Sequence, residues 1–204
     1  MLIDRNCHKS HRYGLVLAGA NPVYLDAYPL QDYSIYGTVP LETIKQTLLD
    51  LEAAGRLDQV RMVLLTNCTF NGVVYNPQRV MEEALAIKPD ICFLWDEVWY
   101  ALAIAVPWVR QRTAMVAAER LEEKLASPAY AAEYARWKRQ VADVPKSEWT
   151  RHRLLPDPVR VRVYSTHSTH KSLSRSAIRT STSSPARRSP RRSSPARRRR
   201  RTSS

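Results

Sequence analysis

Apolar residues recur along the first 174 positions in two rhythms. The helical rhythm is clearest where Leu41, Ile44, Leu48 and Leu51 repeat at the spacing of one helix face, with Pro40 suited to the first turn and Gly55 to the stop. Asn76 followed by Pro77 predicts a capped helix reaching about Ile87. A short helix over His8–Ala18 is ended by Gly19, and two helix-rich segments are expected at 111–125 and 128–140. The second rhythm is that of strands. Val60–Thr66 is largely apolar, and Ile91–Trp95 has no polar break, as a strand buried on both faces of a parallel sheet requires. Pro22–Asp26 reads as extended. Val159–Tyr164 reads as a further strand whose alternating arginines place it at an edge or with one wet face.

Strands separated by helices predict an α/β fold, a mostly parallel sheet with flanking helices. In such sheets ligands gather beyond the carboxyl ends of the strands. The candidate site residues are therefore the polar ones that follow each strand: Thr66–Thr69, Asp96 and the run Ser165–Lys171.

Charge changes the picture only at one end. The chain of 204 residues has a formal net charge of +13, yet 11 of its 32 Lys and Arg lie in 175–204, a stretch without Asp or Glu. The first 174 residues carry 21 basic against 19 acidic side chains, so the body is nearly neutral and reads as a soluble globular domain. Residues 175–204 contain only Arg, Ser, Ala, Pro, Thr and one Ile, which cannot build a core; this tail is expected to be disordered. Its Ser-Pro-Arg-Arg pattern makes a basic-tailed nucleic-acid-binding protein the alternative reading, with nonspecific and salt-steep binding through the tail.

Cys7, Cys68 and Cys92 are widely spaced, which fits a reducing compartment rather than a disulfide framework, and no metal-ligand cluster is present. The first ten residues lack the apolar run of a signal peptide, and Ala101–Val109, interrupted by Pro107, is too short to span a bilayer. A cytoplasmic location and no membrane partner are expected.

The chemistry-bearing constellations are Asp4-Arg-Asn-Cys-His8-Lys-Ser10, Trp95-Asp96-Glu-Val-Trp99-Tyr100 and Ser165-Thr-His-Ser168-Thr-His170-Lys171-Ser172. Singly, each has a plainer explanation: a satisfied histidine, a turn aspartate, a solvated lysine. Together they meet the needs of a pyridoxal phosphate site. The cofactor's aldehyde needs a lysine amine, and an unperturbed lysine of pKa about 10.4 is almost never neutral at pH 7. His167 and His170 beside Lys171 can favour the neutral form, and Ser168 and Thr169 can hydrogen-bond a phosphate. Asp96 after an apolar strand suits the partner of a protonated pyridine nitrogen, and His8 or Trp99 could lie against the ring.

On these residues the chain resembles the ornithine/lysine/arginine decarboxylase family. Ser168-Thr-His170-Lys171 is similar to the family's cofactor-attachment signature. Asp4-Arg-Asn-Cys-His8-Lys is similar to the segment whose histidine stacks on the cofactor. Trp95-Asp96-Glu-Val-Trp99 resembles its Asp-x-x-Trp motif, and Leu65–Gly72 falls where the family has an active-site turn; all four occur in the family's order. The resemblance implies an aspartate-aminotransferase-like large domain (fold type I) and pyridoxal phosphate held by Lys171, with Asp96, His8, Trp99, Ser168 and His170 around it. It also implies decarboxylation of a basic amino acid, with His170 or Lys171 returning the proton, and a homo-oligomer.

Some departures set limits. Arg12, Asn71 and Val98 stand where close relatives are expected to have His, Asp and Ala. The family's phosphate-binding turn would precede Met1, and its signature fails at Arg175. These features predict a partial cofactor-binding large domain over 1–174, truncated and inactive, followed by a tail over 175–204 read from another frame.

Overall fold

The first strand, β1 (Leu2–Asp4), is three fully buried residues, too short to announce itself by periodicity. The computed structural model describes residues 1–166. Helix α1 (Lys9–Leu17) follows, capped by His8, whose Nδ1 accepts the Ser10 N–H, and the chain turns out of it at Gly19 with φ of 59°. β2 (Val23–Leu25) precedes a small antiparallel hairpin of β3 (Pro29–Leu30) and β4 (Ile35–Tyr36). Helix α2 (Leu41–Ala53) begins after Pro40, and β5 (Met62–Thr66) follows it. Helix α3 (Pro77–Ile87) begins as its sequence demands: Asn76 accepts the Arg79 N–H, and Pro77 fills the first position, where no N–H is needed. Then come β6 (Cys92–Asp96), a 3-10 stretch at Val98–Ala105, α4 (Pro107–Arg110), α5 (Ala114–Ala126) and α6 (Pro128–Gln140). A 3-10 turn at Lys146–Arg151 leads to β7 (Arg162–Ser165), an edge strand as its alternating arginines predict.

The five-stranded sheet runs β2-β1-β5-β6-β7 with every pairing parallel. Side-chain alternation divides it into two faces. Leu2, Val63, Leu65, Phe93 and Trp95 join the main core with Ile44, Leu48, Met81, Leu85 and Leu121 from α2, α3 and α5. On the opposite face Ile3 and Leu64 pack with Cys7 and with Leu15 of α1. Charge enters the main core in pairs. Lys45 Nζ, 2% exposed, donates to Glu83 Oε2 at 2.8 Å and to the His152 carbonyl at 2.9 Å, and Arg79 Nε reaches the other Glu83 oxygen at 2.9 Å. Burial of such ions is tolerable because each polar atom is met. No helix among the described residues is long and apolar enough to cross a membrane.

The chain adds β2 on one side of β1 and then returns to place β5, β6 and β7 on the other. This reversal is a topological switch point, where the loops leaving β1 and β5 part and open a crevice at the carboxyl edge.

Candidate active site

Because the strands are parallel, their carboxyl ends deliver four separate segments to one edge. The register pairs Thr66 with Asp96 and Trp95 with Ser165, so residues distant in sequence end side by side. A cavity of about 680 Å³ lies here, in the size range of cofactor and substrate sites. Asn6, His8 and His11 line it from the β1–α1 segment, and Thr66, Thr69, Phe70 and Asn71 from the turn after β5. Asp96, Val98 and Trp99 contribute from the turn after β6, and Thr166 from the end of β7.

Asp96 is the most constrained of these groups. It is 7% exposed. Its Oδ2 lies 2.7 Å from His11 Nε2, and its Oδ1 accepts the Thr166 hydroxyl at 3.0 Å and the Val98 N–H at 3.4 Å. The hydrogen bond from His11 holds the carboxyl below the usual aspartate range, against the opposing effect of burial, with Thr166 assisting. An ionised carboxylate only accepts hydrogen bonds, so His11 Nε2 carries the hydrogen in this pair.

His8 is exposed, and its ring is tied to Ser10, 2.8 Å from Nδ1 to the hydroxyl. Trp99 is 63% exposed and meets Phe70 edge-to-face with ring centroids 5.1 Å apart. Thr66 Oγ1 is buried on the cavity wall without a hydrogen-bond partner among the described residues.

Behind the cavity two residues lock the loops together. Asn67, fully buried, donates from its backbone to the Asp96 carbonyl at 2.8 Å and accepts the Tyr75 N–H at 3.1 Å. Its amide donates to Glu97 Oε1 at 2.7 Å and to the Arg112 carbonyl at 3.0 Å. Glu97, 3% exposed, also accepts the Ala114 N–H at the start of α5 (2.8 Å) and the Ser165 hydroxyl (2.7 Å). Its own N–H donates to Thr166 Oγ1 at 2.9 Å, which in turn donates to Asp96. Asp4, at the end of β1, accepts backbone N–H groups of Asn6 and Thr66, but burial is the stronger influence and pushes its carboxyl up.

The structure brings His8, Asp96 and Trp99, each singled out by its motif, to the lining of one cavity. Asn71 and Val98 line it too, while Arg12 donates to the Arg5 carbonyl at 3.0 Å. Asn67 and Ser165, candidates by position, serve the framework through Glu97. Ser168, His170, Lys171 and the tail 175–204 lie outside the described residues. Sequence reasoning missed His11 and Glu97. The spacing His8, His11, Leu15 places one helix face over the edge and was the available signal for the first. Glu97 gives none, since the partners described for it come from three distant parts of the chain.

The family profile for Orn/Lys/Arg decarboxylase, major domain, matches residues 1–130. Among curated proteins, lysine decarboxylase LdcA of Pseudomonas aeruginosa is 35% identical over 109 residues, covering 50% of this chain and 14% of that protein. Biodegradative arginine decarboxylase of Escherichia coli K12 is 37% identical over 113 residues, again covering 50% of this chain and 14% of the relative. The chain therefore spans a small part of the length of these relatives. Among solved structures, a PLP-bound protein of Clostridium difficile 630 described as an aminotransferase overlaps at a TM-score of 0.36 and 12% identity, over 55% of this chain and 29% of that one.

Proposed function

The chain belongs to the Orn/Lys/Arg decarboxylase family through its major domain, and from that membership we propose that its edge cavity is the pyridoxal phosphate site of a basic amino acid decarboxylase. The substrate would be ornithine, lysine or arginine, released as the amine and carbon dioxide. The observation that carries this reading is Asp96: an ionised, nearly buried carboxylate at the end of an apolar strand, lining one cavity with an imidazole and an indole.

The residues present fit the cofactor. When bound, it supplies an electron-poor ring into which charge developing at the substrate Cα can spread. Asp96 would hold the proton on the ring nitrogen, a task that needs a carboxylate still ionised in a dry place. His8 and Trp99 offer flat faces to confine a planar ring, and Thr66 Oγ1 offers a buried polar group in need of a partner. By family resemblance Lys171 would supply the attaching amine, Ser168 a phosphate contact, and His170 or Lys171 the proton returned to Cα. The exposed aromatics Phe70 and Trp99 at the rim suit coverage by a second copy, which makes a homo-oligomer part of the same proposal.

The test uses the full chain. It is incubated with pyridoxal phosphate, reduced with borohydride, digested and weighed. The reduced phosphopyridoxyl mass is expected on the peptide containing Lys171 and absent from Lys171→Ala. Equal labelling of Lys171→Ala would refute a specific site. Carbon dioxide release from ornithine, lysine and arginine then identifies the substrate.

A further inference from the structure

We propose that His11 is the positioning residue for Asp96, its Nε2–H holding the carboxylate in place as acceptor for the cofactor's ring nitrogen; this rests on the cofactor reading above. The pair spans 85 positions of sequence at 2.7 Å, with side chains 12% and 9% exposed. Both partners are anchored independently. His11 stands in the first turn of α1, which Leu15, one turn further on, pins to Ile3 and Leu64 on the sheet. Strand alternation puts Asp96 on that same face, with Leu64 and Leu94, while Leu65 and Trp95 point into the main core. The imidazole is therefore presented to the carboxylate by packing.

The donors account for most of the carboxylate's capacity. Thr166 and Val98 engage Oδ1, and His11 engages Oδ2. An ionised carboxylate has about four acceptor positions, so one on Oδ2 remains among the described contacts, enough for one ring N–H. Three other ionisable groups on the segments around Asp96 have partners of their own. Asp4 accepts backbone N–H groups, Glu97 accepts from Asn67, Ala114 and Ser165, and His8 is tied to Ser10. His11 alone among them touches Asp96. It also lines a second, largely apolar cavity of about 640 Å³ that continues along α1 past Gly14, Leu15 and Ala18, so the two cavities share its side chain.

A purely structural histidine would give a different result from a positioning one. His11→Leu keeps bulk and removes the donor, whereas His11→Gln restores an N–H near the position of Nε2. The first readout needs no cofactor: the Asp96 carboxyl is titrated by carbon NMR in the full chain. The midpoint is expected to move up in His11→Leu and to return most of the way in His11→Gln. The second is pyridoxal phosphate affinity, followed by cofactor absorbance. His11→Leu should weaken it on the order of tenfold, the size of one charge-assisted hydrogen bond, with His11→Gln close to the parent. An unmoved Asp96 midpoint in His11→Leu overturns the proposal, as does unchanged cofactor affinity. If the parent chain itself binds no pyridoxal phosphate, the cofactor reading fails, and the role assigned to His11 toward the ring fails with it. The Asp96 titration still shows separately whether the two side chains are coupled.

Discussion

Replacing Glu97 by alanine should cost about 2–5 kcal/mol of folding stability, and replacing it by glutamine about 1 kcal/mol or less. The difference follows from what the carboxylate meets. Oε1 accepts from Asn67 Nδ2 at 2.7 Å and from Ala114 N at 2.8 Å, and both of those residues are fully buried. Alanine leaves these two donors without their acceptor, each at a penalty of about 1–3 kcal/mol. Ser165 adds little, because it is half-buried and its hydroxyl can turn. Loss of a negative charge beside the start of α5 adds about 0.3–1 kcal/mol. Against these stands relief from burying an ion, which keeps the sum near the middle of the range. Glutamine retains one carbonyl oxygen for Asn67 and Ala114 and turns its NH2 toward Ser165, whose hydroxyl can accept. Urea unfolding followed by tryptophan fluorescence measures both variants. An alanine penalty below about 1 kcal/mol, or a glutamine penalty equal to it, would refute the clamp.

Three further outcomes are expected. Lys45→Ala should destabilise by about 3 kcal/mol because Glu83 stays buried with only Arg79 to answer it, whereas Lys45→Ala combined with Glu83→Ala should cost less than the two singles added; a double-mutant cycle by urea unfolding checks this, and strict additivity would count against the pair. Asp96, depressed when folded, contributes stability that is present above the unfolded value of about 3.9 and lost as pH falls through its folded value, so Asp96→Asn should flatten the acid limb of the stability curve below about pH 4. Asp4, raised when folded, acts in the opposite sense: its contribution is fullest in acid and is lost as pH rises from about 3.9 through its folded value, which Asp4→Asn should remove from the same titration.

The legible parts of the fold are those specified by neighbours in sequence. Helix α3 starts where Asn76 and Pro77 place it because capping is chemistry within one turn. Helix α2 runs between Pro40, which leads into it without a side-chain cap, and Gly55, which takes φ of 67° after its end. β7 is an edge strand because Arg162 must find water beside Val163. What stayed hidden depends on partners far along the chain. β1 is a strand only because β2 and β5 supply its hydrogen bonds, and three residues ending on a charge carry no period of their own. The motif resemblance singles out His8, Asp96 and Trp99, since those residues stand in a recognisable local context. It could not find His11, whose meaning lies 85 positions away at Asp96.

The assembly of the site then reduces to strand register. β5 and β6 pair so that Leu65 and Trp95 turn together into the helical core, and Thr66 and Asp96 fall together on the α1 side. Side chains alternate with a period of two, so a slip of one residue in β6 would drive Asp96 toward the apolar core and expose Trp95 in its place. The cost of burying an unpaired carboxylate among Val63, Leu65 and Phe93, added to that of exposing an indole, makes the alternative register untenable. The hydrophobic pattern that specifies the sheet is therefore also what delivers the carboxylate to His11, and the cavity chemistry needs no separate instruction to bring its parts together.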